Sequence, residues 1–272
     1  MFDVSRRRAL VALGGAALSG KAQTRPKGYL VENTLHIFSP DQARFPFHKN
    51  APYKPEANSL GDYIAFVKEA RLSHTVLVQP EPYQDDESYI EYCFTREPSP
   101  GYFKATCLYD PIDPATPARI EALAKRYPNR IVGMRMHEMN EKGTPFSTSG
   151  AIKNRDMKDP AMKKIFQKIG ELGMIVQVQL IPYHARGLGE LAAGFPGVPV
   201  LIDHFGLIAR GTPAEYDDMV KLSRMPQFHM KISQLPPNPK PAVRRVYDAF
   251  GPERLIWGSY GATMPAFEKA LA

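Results

Sequence analysis

MIVQVQLIPYHARGLGELAAGFPGVPVLIDH, residues 174–204, decides the architecture. It opens on an apolar, β-branched run, Met174–Leu180, and closes on another, Val198–His204. Between them, His184–Ala193 has helical spacing. Both flanking runs are too continuously apolar for a half-exposed strand and fit strands covered on both faces, as parallel sheets require. Strand, helix and strand in about 30 residues make one βαβ unit.

The same unit repeats in both directions. Toward the N-terminus, strands are expected at Leu30–Phe38, His74–Gln79, Tyr102–Leu108 and Arg130–His137. Helices are expected at Leu60–Leu72, Asp86–Phe94, Pro114–Tyr127 and Asp159–Leu172, the third with proline in its first turn. Toward the C-terminus come helix Pro213–Leu222, strand Phe228–Ser233, helix Pro241–Phe250 and strand Leu255–Gly258. Eight strands alternating with helices predict an α/β protein, a (β/α)₈ TIM barrel, over residues 28–272. A doubly wound sheet would want a glycine-rich turn after its first strand, and none is present. Only Tyr260–Ala272 follow the eighth strand, so the final helix must be short or clipped.

Composition narrows the class. Of 272 residues, 43% are hydrophobic and 23% charged, which excludes disordered, collagen-like and coiled-coil chains. No apolar run approaches the roughly 18 residues of a membrane span, so none is expected. Cys93 and Cys107 are too few for a disulfide framework or a thiolate zinc cluster; two unpaired buried thiols are expected rather than one bridge. Arg6, Arg7, Arg8 and Lys21 against Asp3 make up three of the seven net positive charges. The remainder is mildly basic without a basic block interleaved with aromatics, which argues against nucleic-acid binding. Ser5-Arg6-Arg7-Arg8 followed by the weakly apolar Val11–Leu18 and then Gly20-Lys21-Ala22 reads as a twin-arginine export signal, with residues 1–27 as signal and linker. The expected location is the periplasm or beyond, with the twin-arginine machinery as a transient partner. The alternative is a basic tail on a cytosolic protein.

Barrel chemistry sits at the carboxyl ends of the strands, and alternation decides which side chains share a face. Thr34 and His36 share parity, as do Arg135 and His137, Gln177 and Gln179, Ile202 and His204, and Gly258 and Tyr260. Asp203 has the opposite parity and is expected to face away from the site, in a structural role. His48, His74, His184 and His229 fall in loops or at element starts and are expected to be solvated or capping.

VENTLHIFSP (31–40), VLVQP (76–80), VGMRMH (132–137), LIDHFG (201–206), MKIS (230–233) and LIWGSYG (255–261) resemble, in order and spacing, the signposts of the amidohydrolase-related family. RFPFHKNAPYKPEA (44–57) is similar to the loop after the first strand in its branch of pyrone-dicarboxylate lactonases and sugar-lactone hydrolases. The resemblance implies that His36 and His204 polarise a carbonyl, and that Arg135 and Tyr53 hold a substrate carboxylate. Arg135 could instead be spent on an ion pair with Glu138 or Asp203. The family's Asp-x-His-x-His is here Glu32-Asn33-Thr34-Leu35-His36, and its final aspartate is replaced by Tyr260. With pKa near 10, a phenol is a poor substitute base, so His137 is the expected replacement. Gln179 and Tyr260 complete the expected substrate-binding set.

A catalytic zinc wants about three protein ligands. His36 and His204 keep family positions and His137 is the candidate third, so zinc or manganese would need all three; no cofactor is the expectation. The expected ligand is a small carboxylated lactone or ester. Two other readings remain: a barrel that has lost catalysis and binds a partner, and a metal-dependent decarboxylase.

Overall fold

The structure is a computed structural model that describes residues 28–140, 142–143, 156–234, 236–259 and 261–271. The expected export signal and Tyr260 lie outside the described residues. One sheet contains β1 (Val31–Glu32), β2 (His74–Val78), β3 (Phe103–Leu108), β4 (Ile131–Glu138), β5 (Ile175–Leu180), β6 (Val200–Ile202), β7 (Phe228–Ile232) and β8 (Leu255–Trp257), all parallel and paired in chain order. Around it lie α1 (Leu60–Glu69), α2 (Ser88–Phe94), α3 (Thr116–Arg126), α4 (Pro160–Glu171), α5 (Ala185–Ala192), α6 (Pro213–Lys221), α7 (Pro239–Phe250) and α8 (Met264–Leu271). The chain is a (β/α)₈ barrel.

Local chemistry sets the helix starts. The Ser59 hydroxyl accepts from the Asp62 N–H ahead of α1, and Asp159 accepts from the Ala161 N–H ahead of α4. Thr212 and Glu215 form a reciprocal capping box before Pro213. The main core lies between sheet and helices: Val176, Val178, Val200 and Met230 pack with Ile165, Phe166, Leu188 and Met219. Met134 and Met136 also join this layer, which turns Arg135 and His137 to the barrel interior. Register then sets Arg135 beside Gln177 and His137 beside Gln179. Cys93 and Cys107 are buried and unpaired.

Two strands are shorter than the sequence suggests. β1 stops at Glu32 because its carboxylate takes the Asn33 and Thr34 N–H groups, at 2.9 and 2.7 Å, away from any ladder. β6 stops at Ile202 because His204, Phe205, Gly206 and Leu207 all adopt left-handed φ angles, 51°, 58°, 62° and 45°. Val200 and Ile202 belong to the helix-facing layer, so alternation carries Leu201 and the still extended Asp203 to the barrel interior. It is His204, on the parity of Ile202, that the turn brings back to the site. Instead of facing away, Asp203 is 1% exposed and bonded into the barrel interior.

Among the described residues no ladder joins β8 to β1; side chains close the seam. Asn33 Nδ2 donates to the Trp257 carbonyl at 3.0 Å, and the Ser259 N–H donates to Glu32 Oε2 at 2.8 Å. Gly258 permits the approach, since a Cβ there would stand 1.9 Å from Thr34 Cγ2. The short final helix, α8, caps the seam: Trp257 Nε1 donates to the Ala270 carbonyl, and buried Phe267 meets Trp257 and Phe66 edge-on.

Candidate active site

At the barrel's centre Asp203 holds two cations. Its Oδ1 lies 2.8 Å from Lys231 Nζ, and its Oδ2 lies 3.4 Å from Arg135 Nε. Gln177 Nε2 approaches both carboxylate oxygens at 2.9 Å. Burial pushes the Asp203 carboxyl up, but the Lys231 and Arg135 charges outweigh it and hold the group well below the usual carboxylate range. Burial lowers the Lys231 ammonium against Asp203's pull. Lys231 Nζ also donates to the Asn33 carbonyl at 2.8 Å, tying β7 to the segment after β1.

Arg135 is buried, and its ion pair with Asp203 is observed. A second guanidinium nitrogen donates to the Gln179 side-chain oxygen, and a third reaches the Gln79 carbonyl at 3.5 Å. The Asp203 and Gln79 contacts lie at the long limit of hydrogen bonding, so Arg135 keeps donor capacity for an acid.

Three histidines flank this network from different strands. His36 Nδ1 lies 2.8 Å from the Val78 carbonyl, which can only accept, so Nδ1 carries the proton and Nε2 the lone pair. Burial, with the Arg135 charge, lowers its pKa from 6.5 to about 3. The left-handed turn after β6 places His204 with Nδ1 3.0 Å from the Ser233 hydroxyl. Burial lowers its pKa to about 4 against the pull of Asp203. His137, 4% exposed at the end of β4, sets Nδ1 3.0 Å from Glu81 Oε1. Burial and Arg135 lower His137, while Glu81 raises it. Burial raises the Glu81 carboxyl, but its hydrogen bond to His137 and the nearby charges bring it to about 2.

His36, His137, His204 and Arg135 thus converge, each within reach of Asp203's charge. Gln179 joins through Arg135. Tyr53 is 42% exposed in the long segment between β1 and α1. The remaining histidines serve the backbone: His74, His184 and His229 bond carbonyls of Tyr102, Asn140 and Gln227, and His48 accepts from the Asn50 N–H. Glu81 and Lys231 were invisible to the parity argument. Lysine inside the apolar strand Phe228–Ile232 was a signal, since such a charge demands a buried partner.

The site does not fit a divalent metal. Among the described residues no three His, Cys, Asp or Glu side chains are arranged to hold one. The Asp203 carboxylate is already shared by an ammonium, a guanidinium and an amide. Thr34 stands where the family pattern has its first histidine, its hydroxyl 2.5 Å from Glu32 Oε1 and its methyl against Gly258.

A family model for amidohydrolases matches residues 33–259. A 4-sulfomuconolactone hydrolase of Rhizobium radiobacter is 23% identical over 254 residues, covering 86% of this chain and 75% of the relative. Two solved structures share the fold. One, from Acinetobacter baumannii, is a probable 2-pyrone-4,6-dicarboxylic acid hydrolase with citric acid bound. It is 19% identical, with TM-score 0.67 over 90% of this chain and 92% of its own. The other is a Burkholderia multivorans amidohydrolase with bound zinc, 13% identical, with TM-score 0.65 over 90% and 89%.

Proposed function

The chain belongs to the amidohydrolase family, and on that premise we propose that it hydrolyses a small carboxylated lactone or ester. The observation that carries this reading is the convergence of three neutral histidines on one buried arginine. Arg135, with Gln179 beside it, receives the substrate carboxylate through its planar fork, and Tyr53 adds a phenol from the β1–α1 segment. His204, neutral with a pKa of about 4, donates from Nε2 to the carbonyl while its Nδ1 accepts from the Ser233 hydroxyl. His36, neutral with a pKa of about 3 and its proton on Nδ1, offers Nε2 only as an acceptor for an O–H of substrate or water. His137 takes the proton of the attacking water. The 4-sulfomuconolactone hydrolase supports a lactone as substrate class. No step here passes through a metal.

The N-terminal arginines support export, so the substrate would be met in the periplasm. The test is ring opening of a panel of carboxylated lactones, followed by base uptake at constant pH. Wild type turns over at least one member; His204→Asn loses turnover by about 10²-fold or more, the scale of losing one carbonyl-stabilising donor. Ligand binding without turnover would make the barrel a binding protein instead.

A further inference from the structure

Glu81 is the first residue past Pro80 at the end of β2, and its carboxylate reaches across to β4. Its partner, His137 Nδ1, lies 3.0 Å away. A carboxylate only accepts, so Nδ1 carries the proton and Nε2 is left with its lone pair. That Nε2 atom is buried and has no hydrogen-bond partner among the described residues. A buried acceptor without a donor is destabilising, and a water molecule is the smallest group that would satisfy it.

We propose that Glu81 and His137 form a carboxylate–imidazole pair in which Glu81 is the positioning residue and His137 Nε2 the proton acceptor for the hydrolytic water. The pair supplies what the Tyr260 replacement removes from the family pattern, and it rests on the hydrolase reading above. As the water oxygen bonds to the lactone carbonyl carbon, one water proton moves to Nε2. The imidazolium is held between the Glu81 carboxylate and the reacting oxygen. When the ring C–O bond breaks, the same proton passes to the departing ring oxygen, and the product is the open hydroxy acid. Glu81 itself takes no proton, in the way a buried aspartate orients the histidine of a hydrolase triad.

Several charged and titratable groups face this pair. Arg135 lies on the same strand, Asp203 and His204 follow β6, and His36 follows β1. Arg135 opposes protonation of His137, and Glu81 and Asp203 favour it. Removing the Glu81 charge therefore lowers the affinity of Nε2 for a proton.

The experiment compares wild type, Glu81→Gln, Glu81→Asp and Glu81→Leu by two readouts. In lactone turnover, Glu81→Gln loses about 10²–10⁴-fold in kcat with KM little changed. The acid limb of its pH–rate profile moves to lower pH, and Glu81→Asp recovers part of the rate. Independently of substrate, nitrogen NMR of histidine-labelled protein shows His137 protonated at Nδ1 and bare at Nε2 in wild type. That tautomer loses its preference in Glu81→Leu. A wild-type Nε2 that carries the proton at neutral pH overturns the pair, as does undiminished kcat in Glu81→Gln. Absence of lactone turnover in wild type refutes the hydrolase reading, whereas the geometry of the pair stands or falls on the nitrogen spectrum.

Discussion

Replacing Lys231 with methionine isolates the electrostatics at the centre of the barrel. Lys231 and Asp203 are each 1% exposed, with Nζ and Oδ1 2.8 Å apart. Methionine is unbranched and of comparable length, so the strand and its outward packing can survive. Asp203 would keep the neutral Gln177 amide and the 3.4 Å contact to Arg135, losing its one close cation. Removing one partner of a buried ion pair costs about 3–5 kcal/mol, because the other charge stays desolvated. The Asn33 carbonyl also loses a donor, worth about 1 kcal/mol. Against the 5–15 kcal/mol typical of folded domains, about 4–6 kcal/mol brings the protein close to its margin. Urea unfolding at neutral pH, followed by circular dichroism, measures the change. Asp203→Asn removes the stranded charge, so Lys231→Met/Asp203→Asn should be more stable than the sum of the single losses predicts, by about 1–3 kcal/mol. A Lys231→Met protein within about 1 kcal/mol of wild type, or strictly additive single losses, would show that Asp203 does not depend on the Lys231 charge.

Two further outcomes follow from the same region. His36 and His204 titrate near 6.5 when unfolded but only near 3 and 4 when folded. Between those limits the unfolded chain binds the extra protons, so stability is complete above about pH 6.5 and falls by about 2–3 kcal/mol per pH unit toward pH 5. Glu81 and Asp203, both lowered, lose their contributions only below the ordinary carboxylate range, so this window belongs to the histidines. Urea midpoints that stay level from about pH 7 to 5 would show that these rings are not held neutral. At the seam, Gly258→Ala places a methyl 1.9 Å from Thr34 Cγ2 and should destabilise by about 1–3 kcal/mol. Thr34→Ala in the same chain should restore most of that loss, and thermal melts of the single and double variants decide it.

The barrel was legible because its signal is repetition. Runs such as Met174–Leu180 and Val198–His204 can be buried on both faces only in a sheet wrapped by helices, and eight of them leave few topologies. The shared face of Arg135 and His137 was equally legible, since β4 is an uninterrupted strand through both residues. Alternation fails where the strand ends. Asp203 was sent to the wrong face because His204 was taken to set the parity of β6, whereas Ile202 faces the helices and left-handed residues from His204 onward break the alternation there. Only Gly206 among them announces that conformation in sequence. The Glu81–His137 bond crosses from β2 to β4, and no local pattern encodes such a contact. Glu32 shows a third limit: its side chain captures backbone donors and ends the first strand sooner than its apolar composition suggests.

Lactone ring opening by the purified protein after exhaustive chelation, run beside His36→Ala/His204→Ala, separates catalysis by these side chains from catalysis by a metal. The chelated wild type is expected to open a carboxylated lactone at its unchelated rate, and the double variant is expected not to. Turnover abolished by chelation and restored by zinc or manganese would contradict that expectation, because a metal would then occupy a site whose side chains are assigned here to one another.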